Sequence, residues 1–189
     1  MKILITGGEG KLANQLKKID SNHSIYFANK KTLNLTNYNN IESFSKGKYF
    51  DLIIGNATKH SRAFPPDYSS VEGFKITLGH SYLVYSLYKK PKYFINLTTN
   101  LNVIDEYYFY RAIKTFNEDY YYRFFKIRYP DIKYFNIHPG HIDDKQNRIS
   151  ASNLIYSFID NIDSYSFLNY DFNHFNNTIE KHENKTLRW

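Results

Sequence analysis

The chain has 189 residues, with 25 Lys and Arg against 18 Asp and Glu, a formal net charge of +7 and no cysteine. That length fits one domain able to bury a core, and the lack of cysteine excludes disulfides and thiolate metal sites. The basic residues are scattered rather than gathered into a stripe, which argues against a nucleic-acid partner; no apolar run reaches the length of a membrane span, so a cytoplasmic protein with no membrane partner is expected.

The 19 Tyr and 15 Phe, together with abundant Asn, Lys and Ile, fit an AT-rich coding sequence better than a base-stacking platform. The first apolar run, residues 2–6, ends in Gly7-Gly8-Glu9-Gly10 and passes into a helical pattern over 11–19. Strand, tight glycine turn and helix in that order form a cradle for a dinucleotide pyrophosphate. Gly8-x-Gly10-x-x-Ala13 and Gly7-x-x-Gly10-x-x-Ala13 both fit the spacing, with Lys11 and Leu12 inside it. Further apolar runs at 24–28, 51–55, 93–97 and 133–137 read as buried parallel strands. Helical patterns at 39–44, 70–88 and 106–129 separate them, and a last helix near 151–162 precedes a short strand near 166–169. This alternation predicts an α/β chain: a doubly wound, mostly parallel sheet with helices on both faces, in a single domain. The segment from about 172 to 185 reads as a polar, irregular tail.

Ligands of such sheets bind at the carboxyl ends of the strands. Four segments meet there: Gly7–Gly10, Gly55-Asn56-Ala57-Thr58, Thr98-Thr99-Asn100 and His138-Pro139-Gly140-His141. All are small or polar, as the lining of a cofactor cleft must be. Carbonyl reduction also needs an acid, and a tyrosine serves when an ammonium one helical turn away lowers its pKa. Six Tyr-x-x-x-Lys pairs occur, beginning at Tyr26, Tyr85, Tyr88, Tyr110, Tyr122 and Tyr129, where chance gives roughly two. Context selects Tyr110-Arg111-Ala112-Ile113-Lys114, which opens a long helix shortly after a strand ending in hydroxyls. At the end of the second strand, Asn29-Lys30-Lys31 carries no acid. This favours a ribose 2′-phosphate, and so NADP(H) over NAD(H). His138 and His141 lack the third ligand a metal would need and read as turn residues.

These motifs, in this order and over almost the whole length, resemble those of the short-chain dehydrogenases/reductases, a family built on the Rossmann fold. The glycine turn, Asn56-Ala57-Thr58, Asn96-Leu97-Thr98-Thr99, Tyr110–Lys114 and Pro139-Gly140 followed by Ile142 are each similar to a family segment, as are Phe167-Leu168-Asn169-Tyr170-Asp171. The resemblance implies Tyr110 as acid/base, Lys114 as its activator and ribose ligand, and Thr99 or its neighbour Thr98 in place of the catalytic serine. It implies that Pro139-Gly140 shapes the nicotinamide pocket, and that Asn34, in Asn34-Leu35-Thr36-Asn37, lies beside the adenine. It also implies an oxidoreductase acting on a small carbonyl or alcohol and a homodimer through the two long helices. Two departures stand out. Ile76 occupies the place of a family Asn, and a helix common after the second strand is missing. A non-catalytic NAD(P)-binding sensor or scaffold, and a sugar-nucleotide reductase or epimerase, are the alternative readings.

Overall fold

In the computed structural model the chain forms a seven-stranded sheet in the order β2-β1-β3-β4-β5-β6-β7. The residues described are 1–58, 68–98, 108–140, 142, 144–165, 169–173 and 176–182. The strands are β1 (Lys2–Thr6), β2 (Ser24–Ala28), β3 (Leu52–Gly55), β4 (Tyr93–Leu97), β5 (Lys133–His138), β6 (Asn169–Asn173) and β7 (Thr178–His182). β1 to β6 run parallel and β7 pairs antiparallel with β6. The helices are α1 (Lys11–Leu16), α2 (Tyr38–Ser45), α3 (Tyr68–Ser86), α4 (Tyr108–Arg128) and α5 (Lys145–Asp160).

The central strands are largely apolar because each buries both faces. Ile3, Ile5, Leu52, Ile54, Ile95 and Phe135 join Leu12 and Leu16 of α1 and Leu154, Phe158 and Ile159 of α5 in one core layer. Leu4, Ile53, Phe94 and Tyr134 project to the opposite face and meet Ile41, Leu83, Val84, Tyr121 and Phe125. The two layers follow from the period-2 alternation of a strand. On the second face Phe94 packs 4.8 Å from Phe125 and 5.2 Å from Tyr121, centroid to centroid, which adds edge and offset ring contacts to the burial.

Several expectations change in detail. β2 is an edge strand with Tyr26 42% exposed, so it alternates rather than being buried on both faces. The last helix begins at Lys145, six residues early, because Asp144 caps it by accepting from Asn147 N at 2.7 Å. The polar tail is corrected most: Phe172 and Asn173 complete β6, and Thr178–His182 return as β7. Asn177 takes a positive φ of 54° in the connecting turn, a conformation Asn tolerates, and its side chain accepts from Ser150 Oγ on α5 at 3.1 Å. Polarity suits an outermost strand that shows one face to water.

No helix lies between β2 and α2, in keeping with the departure from the family pattern read in the sequence. Instead 29–37 runs in turns whose Leu33 and Leu35 enter the core. Gly79 of α3 permits this, since a Cβ there would lie 1.9 Å from the Leu35 carbonyl oxygen.

Candidate dinucleotide and catalytic site

The parallel register brings the carboxyl ends of β1, β3, β4 and β5 to one edge of the sheet. Gly7 opens the turn after β1 with φ +68°, and a Cβ there would lie 2.9 Å from Ala57 Cα. Only glycine meets both demands. Gly8 N donates to Ala28 O at 2.8 Å and Gly10 N to Gly7 O at 3.0 Å, folding the turn back over β2. Asn56 Nδ2 reaches Thr6 O and Gly7 O at 3.1 and 3.2 Å, so this side chain braces the turn from β3. Thr58 Oγ1 is buried with no hydrogen-bond partner among the described residues. Leu12 is 3% exposed in the core, so its side chain faces away from the cleft, while Lys11 is exposed.

At the end of β2, Asn29 forms an Asx turn, its Oδ1 accepting from Lys31 N and Thr32 N at 3.0 Å each, and its Nδ2 donates to Glu9 Oε1 at 2.9 Å. Lys30 pairs with Glu72 at 2.7 Å. Asn34 Oδ1 accepts from Thr36 N and Oγ1, which commits that oxygen to the turn.

Tyr110 and Lys114 lie one turn apart on α4 beside the end of β4. Lys114 is 4% exposed, and its Nζ donates to the Leu97 carbonyl and sits 5.6 Å from the centroid of the half-buried Tyr110 ring. Burial pulls the Lys114 ammonium down to about 8, opposed by the charge of Glu118. Thr98 is buried with its hydroxyl donating to Glu118 Oε1, which turns it inward to α4. Thr99 and His141 lie outside the described residues. At the end of β5, His138 and Pro139 are buried, Gly140 is exposed with φ +71°, and Ile142 packs against the core.

Sequence reasoning missed a polar network behind the site. Thr6 Oγ1 accepts the N–H of Asn56 and Ala57 at 3.1 and 3.0 Å and lies 2.9 Å from His80 Nε2, against 3.3 Å to Ile54 O. Its single proton therefore goes to His80. The ring proton then sits on Nδ1, 2.9 Å from Tyr121 OH, which donates to Thr77 O at 3.3 Å. Burial first, and the Lys114 charge second, lower His80 to about 3, so the ring is neutral. Thr77 in turn donates to the buried Asn117. Polar groups thus stand beside Ile76, on Thr77 and Asn117 rather than on Ile76 itself. A lone histidine among apolar neighbours gave no spacing signal; Glu118, four residues after Lys114, did give one.

No protein-family model matches the chain, and no curated protein matches it in sequence. Solved structures do match in fold. The alcohol dehydrogenase of the archaeon Thermococcus sibiricus, solved with 5-hydroxy-NADP, is 14% identical with a TM-score of 0.69, over 90% of this chain and 95% of that one. The dTDP-4-dehydrorhamnose reductase of Bacillus anthracis, solved with NADP, is 18% identical with a TM-score of 0.63, over 90% of this chain and 74% of that one. The serine dehydrogenase of Escherichia coli is 14% identical with a TM-score of 0.61, over 83% of this chain and 90% of that one. This chain has the α/β Rossmann fold of the short-chain dehydrogenases/reductases, and its structural neighbours are oxidoreductases.

Proposed function

We propose that the chain is an NADP-dependent reductase or dehydrogenase of small carbonyl or alcohol substrates, with Tyr110, Lys114 and Thr99 at its reacting centre. One observation carries this reading. The Tyr110–Lys114 pair stands at the carboxyl end of β4, with β3 alone between that strand and the glycine turn of β1. Two strand spacings separate them, about 10 Å, so one extended dinucleotide can lie on the turn and reach the pair. The residues present fit such a group. The turn is small and braced by Asn56, and the partnerless Thr58 hydroxyl lies on the same edge.

The nicotinamide, when bound, supplies or accepts the hydride. Tyr110 gives its phenolic proton to the substrate oxygen, the Lys114 ammonium favours the phenolate that remains, and a Thr99 hydroxyl holds the oxygen in place. Gly7, Gly8 and Gly10 with Lys11 take the pyrophosphate. Asn56, Ala57 and Thr58 line the middle of the cleft, and Pro139, Gly140 and Ile142 close the nicotinamide end. Lys30 and Lys31 attract a 2′-phosphate, although the Lys30–Glu72 pair and Glu9 beside Asn29 temper that preference. Replacing Tyr110 by Phe is expected to abolish turnover while NADPH binding persists; retained turnover would overturn the assignment.

Ile76 supports a second reading, a non-catalytic NAD(P)-binding sensor or scaffold. NADPH binding without turnover across a panel of carbonyls would favour it. The likeness to dTDP-4-dehydrorhamnose reductases supports a third, a sugar-nucleotide substrate, which inclusion of a nucleotide-linked keto sugar in that panel tests. The reading extends to a homodimer through α3 and α4. Val71, Leu78 and Tyr85 recur on α3 at two-turn intervals and are 49%, 39% and 58% exposed, with Phe116 and Ile127 exposed on α4.

A further inference from the structure

α4 sends two opposite charges to the end of β4. Lys114 Nζ donates to the carbonyl of Leu97, and one turn later Glu118 accepts the hydroxyl of the next residue, Thr98. Lys114 is 4% exposed, and a buried ammonium among neutral partners sheds its proton unless an anion stands near. From this geometry we infer that Glu118 is a positioning residue: it fixes the end of β4 through Thr98 and holds Lys114 as an ammonium.

The other titratable groups around the pair leave the anionic role to Glu118. His80 from α3 is neutral, lowered to about 3, and Tyr134 from β5 and Tyr121 from α4 are raised well above the usual phenol range by burial. Tyr110 on α4 presents its ring to the ammonium. Glu118 is the charge that opposes the desolvation of Lys114 among the described residues. The Thr98–Glu118 bond also removes Thr98 from the substrate side, which sharpens the assignment of the substrate hydroxyl to Thr99. The inference deepens the Tyr110–Lys114 reading and rests on it for its catalytic meaning, so its test avoids the cofactor.

The test is the pH dependence of urea unfolding of the full chain, compared with Lys114→Met in wild-type and Glu118→Gln backgrounds. Lys114 titrates near 8 in the folded state against 10.5 in the unfolded chain. The unfolded chain then holds more protons across that window, and the Lys114-dependent stability rises with pH from about 8. Without the Glu118 charge the rise is expected to begin about one pH unit lower or more. Thr98→Val, which leaves the charge, is expected to leave the onset in place. An unchanged onset in Glu118→Gln overturns the inference. Should that variant not fold, Glu118→Asp, with its carboxylate drawn back, is expected to lower the onset by less, and an unchanged onset there is equally contrary. NADPH titration of the same proteins separates the two readings. A displaced onset without NADPH binding sinks the cofactor reading alone, and binding with a fixed onset sinks this inference alone.

Discussion

His80 joins β1, β3, α3 and α4 through Thr6 and Tyr121, and its ring is neutral in the folded chain. Its pKa falls from 6.5 to about 3, so between those values the unfolded chain binds the extra proton. The sign is therefore fixed: this contribution to stability is complete above pH 6.5 and is lost as pH falls through the window toward about 3. Urea unfolding across that range is expected to show a slope that flattens in His80→Leu; an equal slope in both proteins would contradict the neutral ring. At neutral pH the same variant takes one buried hydrogen bond each from Thr6 and Tyr121, which keep Ile54 O and Thr77 O within reach, at a cost of about 1–3 kcal/mol. The Tyr110–Lys114 pair was legible in sequence because residues four apart share one helix face. His80 was not, since its partners are 74 and 41 residues away and no local pattern records them. Glu118 continues the four-residue spacing of Tyr110 and Lys114, but an acid one turn from a lysine ordinarily reads as a solvated pair. Its meaning depends on Thr98, which only the fold brings to it.

Among the elements, the junction between the 33–37 segment and α3 is the most tightly specified. Gly79→Ala would set a Cβ against the Leu35 carbonyl, a backbone atom that cannot swing aside. A loss of about 3 kcal/mol, read from the urea midpoint, is expected, and an unchanged midpoint would contradict the close approach. At the other edge, Ile179 of β7 packs on the core beside α5. Ile179→Asp is expected to cost about 1–2 kcal/mol, whereas a truly irregular tail would tolerate it. The inner strands β1, β3, β4 and β5 were legible because parallel strands buried on both faces leave largely apolar runs. β7 was not, because one exposed face and residues such as Glu180 and Lys181 dilute that signal. Helix starts were displaced where a side chain such as Asp144 sets them, a local hydrogen bond that hydrophobic periodicity does not encode.

At the scale of the molecule, the sheet order brings the glycine turn, Asn56 and the Tyr110–Lys114 pair to one edge, while α3 and α4 leave apolar residues on their outer faces. Sedimentation velocity is expected to show a dimer whose population falls in Leu78→Glu; a monomer at all concentrations would contradict assembly through these helices. The α/β architecture was legible from the strand–helix alternation, and the meeting of the described strand ends at one edge of the sheet from the same alternation. The Lys30–Glu72 ion pair and the Asn29–Glu9 hydrogen bond were not, because they join segments that meet only after the sheet forms. The central claim is that this edge holds a nicotinamide dinucleotide, and titration of the full chain with NADPH and NADH, followed by fluorescence, tests it most directly. Saturable binding of both with NADPH the tighter is the expected result, and no saturation by either nucleotide would contradict the account.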